Sequence, residues 1–142
     1  WAFAKVAIEN KPLFEAIAAT ATLRMSESDP QNLANIAWAF ATVKMQNMPF
    51  VEVMSQHALA TMKQFGPQEL ANFAWALSTL MFVHVPCLNA LASKAVTSLH
   101  AGSTQNLTNT AWAFAQMKVK NTTLLYSIAQ EVVRTIPEFR ER

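Results

Sequence analysis

Three rows of side chains could read a ligand. Asn32, Glu69 and Asn106 hold equivalent places in three successive stretches of the chain. So do Thr42, Thr79 and Gln116, and so do Ile36, Phe73 and Thr110. Amide side chains donate and accept hydrogen bonds together, which suits the edges of unpaired bases. Because these rows vary between stretches, they are candidate base readers; a merely solvated face is the alternative. A fourth row, Asn35, Asn72 and Asn109, does not vary. A constant residue cannot discriminate bases, so this row reads as structural, bonded to backbone or to a neighbouring repeat. Lys5, Lys11, Lys44, Lys118 and Lys120 gather at one end of the same segments, opposed there only by Glu9. They are candidate phosphate contacts along a basic edge, with complementation of helix dipoles as the alternative.

Catalytic chemistry finds no comparable pattern. His57, His84 and His100 share no metal-ligand spacing, and there is neither a glycine-rich phosphate loop nor a nucleophile elbow. Cys87 is the single cysteine, so an internal disulfide is excluded and a reducing compartment is mildly favoured. It aligns with Leu13, Phe50 and Leu124 and reads as a small hydrophobe. The expectation is a protein without enzymatic activity, cofactor or metal.

What positions the rows is a repeat. Residues 30–40 read PQNLANIAWAF, residues 67–77 PQELANFAWAL, and residues 104–114 TQNLTNTAWAF. Trp1, Trp38, Trp75 and Trp112 are each 37 residues apart, a period of the kind that dictates architecture. Pro12, Pro49 and Pro86 recur at the same interval, with Thr123 in the last copy. Each unit therefore holds two punctuated segments. The first, helix A, starts near Pro30, Pro67 or Thr104, where proline suits the first helical position and Asp29 and Ser103 suit the N-cap. Leu33, Ile36, Phe40 and Val43 make one apolar stripe, and Ala34, Trp38, Ala41 and Met45 the next. The second, helix B, starts at Pro12, Pro49 or Pro86 and turns Phe50, Val53, Met54, His57, Ala58 and Met62 inward. The spacing predicts helices over 30–45, 49–64, 67–82, 86–100, 104–119 and 123–136.

Short turns make A and B antiparallel neighbours, and two helices cannot bury so wide an apolar face alone. The fold class expected is all-α, an α-solenoid of stacked antiparallel helix pairs with a 37-residue repeat. Residues 1–142 form a single segment, with units 1–29 (partial), 30–66, 67–103 and 104–142. The chain opens inside a repeat and reads as a piece of a longer protein. The tryptophans read as core residues between repeats, with base stacking by Trp38 or Trp75 as the alternative.

Composition agrees with a packed helical protein. Hydrophobic residues make up 52% and charged residues 14%, and there are only two glycines. The net charge of +2 does not by itself announce a nucleic-acid binder. Residues 70–93 lack charge, but Pro86 splits them and polar residues punctuate them, so membrane insertion is not expected.

The motif PQ-x-LAN-x-AWA, returning at this period in paired helices, resembles the octotricopeptide and heptatricopeptide repeats, the heptatricopeptide form more closely. The resemblance covers essentially the whole chain. It is weaker from Thr104 onward, where threonines replace the proline and the alanine of the motif. It implies tandem helical hairpins that bind single-stranded or ribosomal RNA in a mitochondrion or plastid, in RNA metabolism or ribosome assembly. Many such proteins end in a RAP domain, which these residues do not contain. A protein-interaction scaffold, or a structural subunit of a large organellar complex, is the alternative function.

Overall fold

A computed structural model describes residues 11–139, with side chains to 136. Seven α-helices fill it, and among the described residues there is no strand. They are α1 (Lys11–Leu23), α2 (Pro30–Thr42), α3 (Met48–Thr61), α4 (Pro67–Thr79), α5 (Val85–Ser98), α6 (Thr104–Gln116) and α7 (Thr122–Phe139). Single 3-10 turns at Met25–Glu27, Met62–Gln64 and Leu99–Ala101 extend α1, α3 and α5. The chain is all-α, as its periodicity predicts.

Each start has a local cause. Asp29 and Ser103 cap α2 and α6, accepting the backbone N–H of Asn32 at 2.7 Å and of Asn106 at 3.2 Å. Gly66 has no side chain to offer α4, and there the Glu69 carboxylate reaches back to accept the Gly66 N–H at 3.1 Å. Asn47, His84 and Asn121 cap α3, α5 and α7 by accepting the N–H three residues on, at 3.2, 3.1 and 2.9 Å. These caps place the B helices one residue earlier than the prolines alone predict.

The A helices end three residues before the predicted 45, 82 and 119. Lys44, Met81 and Lys118 stand in the left-handed region, at φ 54°, 56° and 55°. The next N–H turns back onto the helix: Met45 donates to the Phe40 carbonyl at 2.9 Å, Phe82 to Leu77 at 2.9 Å and Val119 to Phe114 at 3.1 Å. These are Schellman endings, made here without the usual glycine. Glycine's absence is why the sequence hides them.

Packing falls into two layers. α2, α4 and α6 lie side by side in one, and α1, α3, α5 and α7 follow one another in the other. Backbones approach much more closely in the first layer than in the second. Its buried faces explain this: α2 buries Ala34, Ala37 and Ala41, and α4 buries Ala71, Ala74, Ala76 and Ser78. Phenylalanines fill the space nearby, with Phe40 and Phe50 rings 4.9 Å apart and Phe65 and Phe73 rings 6.0 Å apart. Polar ties link successive units. His57 Nε2 meets the Ser28 carbonyl at 3.0 Å, and Lys94 Nζ donates to the Lys63 carbonyl at 3.1 Å.

Two stability predictions follow from this packing. Phe73 is fully buried, and Phe73→Ala should cost about 3–5 kcal/mol in urea unfolding followed by circular dichroism. Met81 is exposed in a left-handed conformation. Met81→Gly should therefore raise stability in the same assay, by up to about 1 kcal/mol.

Candidate nucleic-acid interface

Gln31, Asn35, Trp38 and Thr42 follow at i, i+4, i+7 and i+11, so they share one side of α2. That side faces away from Leu33, Ala37 and Phe40, which are buried. Gln68, Asn72, Trp75 and Thr79 repeat it on α4, and Gln105, Asn109, Trp112 and Gln116 on α6. The outer surface of the A layer is therefore three parallel stripes of amide, indole and hydroxyl or amide.

The predicted rows fare differently. In the first, Asn32 is exposed and Glu69 and Asn106 are partly buried. Glu69 is also committed to capping Gly66. In the second, Thr42 and Thr79 are partly buried and Gln116 is exposed. The Thr42 hydroxyl donates to the Trp38 carbonyl at 2.8 Å. The third row is turned inward. Phe73 and Thr110 are buried and Ile36 packs against the core. The Thr110 hydroxyl donates to the Asn106 carbonyl at 2.8 Å, within its own helix. These positions lie on the flank that the close-packed A layer covers.

The constant asparagines depart from expectation in the other direction. Asn35 is exposed, Asn72 and Asn109 are partly so, and their side chains hydrogen-bond to no described residue. Among the described residues, the backbone or neighbour bonds expected of them are not formed. Trp38 and Trp112 are each 48% exposed, so they are not core residues. Among the described tryptophans, Trp75 alone packs partly against the core. Trp38 leans on it, ring centroids 6.4 Å apart at 31°. The signal was the company the tryptophans keep: polar residues at i−7, i−3 and i+4.

Lys44 and Lys118 are exposed just beyond the ends of α2 and α6, and Lys120 is exposed in the turn that follows α6. Met81 takes the equivalent place after α4, so the middle unit interrupts the basic edge. Lys11 begins α1 and pairs with Glu15 at 3.7 Å. Lys5 lies outside the described residues, as does Trp1.

Elsewhere the titratable groups serve structure. Burial, aided by the Glu52 charge, pushes the Cys87 thiol up to about 12, far from a reactive thiolate. His84 caps α5 through Nδ1 and sets Nε2 3.4 Å from Glu52. Among the described residues no cluster of His, Cys, Asp and Glu has the makings of a metal site. No helix there is long and apolar enough to cross a membrane.

A family model described as RNA-editing substrate-binding complex 6 protein matches residues 1–122. The chain belongs to that family. No curated protein matches it significantly. The match overturns the heptatricopeptide and octotricopeptide resemblance. A cap, a buried leucine and small residues at a fixed period are what closely packed helix pairs need in general, so they do not single out one repeat family. Members of the RNA-editing substrate-binding complex 6 family are subunits of an RNA-editing complex. RNA metabolism and a multi-subunit assembly therefore stand, whereas ribosome assembly, a ribosomal RNA partner and a plastid have no support.

One ion cluster ties the last helix to the rest. Glu131 is buried, 2.8 Å from His100 Nδ1 and 2.5 Å from Arg134. Hydrogen bonds from Arg134 above all, and then from His100, hold its carboxyl down to about 2 against the opposing effect of burial. A depressed carboxyl stabilises the fold above its unfolded value of 4.5 and loses that contribution as pH falls towards 2. Acid unfolding should therefore steepen in that window. Glu131→Gln should lower stability at neutral pH and flatten the acid limb, measured as urea midpoint against pH.

Proposed function

We propose that this chain is an α-solenoid segment that binds RNA as part of an RNA-editing complex, acting in mitochondrial RNA metabolism without catalysis of its own. One observation carries the reading: three closely packed A helices present the same uncharged hydrogen-bonding stripe outward, with a lysine just past the end of the first and third. Elements that begin at Pro30, Pro67 and Thr104, and at Met48, Val85 and Thr122, support a solenoid, since both series advance by one repeat. The family's description names a complex that binds the substrates of RNA editing, and such a complex is mitochondrial in kinetoplastids. Amide rows offer base edges what they need, and lysines at the rim offer phosphates theirs.

A second reading, attachment to another subunit, is favoured by α7. Leu125, Val132 and Ile136 are 42%, 37% and 49% exposed, while their equivalents, Leu88 and Ala95 on α5 and Leu99 in the turn that extends it, are buried. In α5 that side is closed by the unit that follows.

The test is a binding titration at two salt concentrations. Lys44→Glu with Lys118→Glu should weaken all single-stranded RNAs alike. The salt dependence should flatten by roughly one unit of slope per lysine, because phosphates carry no sequence information. Gln116→Ala should instead shift preference at one nucleotide. If neither variant alters RNA affinity while the helical fold persists, the protein-attachment reading replaces this one.

A further inference from the structure

We infer that Trp38, Trp75 and Trp112 are a stacking platform for the unpaired bases of a single RNA strand that crosses the A helices at about one base per helix pair. The inference rests on the RNA-binding reading above and adds the form of RNA and the groups that hold it.

The geometry begins with exposure. A large aromatic residue left half open on a helix forgoes burial that the fold could have used. Here the same residue is open in the first and third units, at 48% each. Trp75, between them, is partly covered: it packs against the core, and Trp38 leans towards it with ring centroids 6.4 Å apart. Trp38 and Trp75 thus adjoin across neighbouring helices, and Trp112 holds the equivalent place on the third, an arrangement that calls for a partner.

The surroundings select that partner. Each indole has an amide one turn before it, Asn35, Asn72 or Asn109, and none of the three amides is hydrogen-bonded to a described residue. Each has Thr42, Thr79 or Gln116 one turn after it. An aromatic face flanked by free donors and acceptors fits a planar group with a polar edge, which describes a nucleobase. A purely apolar protein surface would leave those amides unpaired. The cations near the row, Lys44 and Lys118, stand just past the helix ends. Phosphates can meet them there while the bases lie over the indoles.

Spacing selects a single strand. The indoles of neighbouring helices, Trp38 and Trp75, have ring centroids 6.4 Å apart, whereas stacked bases in a duplex rise by about 3.4 Å. Paired and stacked bases cannot place one ring on each helix in turn. An unstacked strand can, as in helical-repeat proteins that read about one base per unit. Aromatic stacking is tolerant of sequence because every base has a π-face. The invariant indoles and asparagines therefore supply grip, and the varying position at 42, 79 and 116 supplies any discrimination.

The experiment uses the whole chain and its own fluorescence. The probes are a short mixed-sequence single-stranded RNA, the same strand annealed to its complement, and the same strand carrying abasic residues. The single strand should quench indole emission and bind more tightly than the duplex or the abasic strand. Trp38→Ala should lower affinity about 5- to 150-fold and Trp112→Ala likewise, while Trp38→Phe should retain much of it. Circular dichroism of each variant checks the fold; Trp38→Phe keeps an aromatic ring and serves if Trp38→Ala unfolds. The inference is overturned if the abasic strand or the duplex binds as well as the intact single strand, or if Trp38→Ala and Trp112→Ala fold and bind unchanged. In those outcomes, loss of binding in the Lys44→Glu and Lys118→Glu variant would leave the RNA-binding reading standing on phosphates alone. If no probe binds at all, both fail together, and the tryptophan row belongs to a protein contact.

Discussion

Close approach of α2, α4 and α6 is the constraint on which the rest depends, and small side chains permit it. Ala37, Ala41, Ala74, Ala76 and Ala113 are fully buried, and each takes the place where a larger residue would hold two backbones apart. The outward stripes are a by-product of that contact. Once Leu33, Ala37 and Phe40 are committed inward, Asn35 and Trp38 have only the outer side left. The tryptophans are therefore exposed because alanines are buried.

Helix ends set the frame around those stripes. Caps at Asp29, Gly66 and Ser103 fix where each begins, and left-handed residues at Lys44, Met81 and Lys118 fix where each stops. A non-glycine residue in that conformation costs about 1–2 kcal/mol, yet two of the three sites carry an exposed lysine. Ending the helix there lifts those lysines beside the amide and indole rows rather than continuing them round the helix. The cost of the ending and the placement of the charge come from the same residue.

Much of this was legible in the sequence, and the failures have physical reasons. The repeat, the helix pairs and the starts at Pro30 and Pro67 follow from spacing and proline alone. The early ends do not, because Lys44, Met81 and Lys118 look like helix formers and reveal their conformation only through the backbone. The caps of the first two B helices, Asn47 and His84, hide because Pro49 and Pro86 draw the expected start one residue on. At the surface, residue type misled where periodicity would not have: tryptophan suggests a core, but Trp38 repeats in phase with Gln31, Asn35 and Thr42. Phe73 and Thr110 vary between units, as base readers should, yet both are buried, where packing governs residue type. The family itself could not be read from the motif, since the motif encodes packing.

The two layers also differ mechanically. Alanine contacts in the layer of α2, α4 and α6 leave little side chain to compress or stretch, so that layer behaves like an inextensible tape. The layer of α3, α5 and α7 is held through longer side chains such as Phe50, Met54 and Leu88, which can change rotamer as their helices slide. Bending should then open or close the outer layer while leaving the pitch of the tape unchanged. The spacing of the indole row is then set by alanine contacts rather than by adjustable side chains.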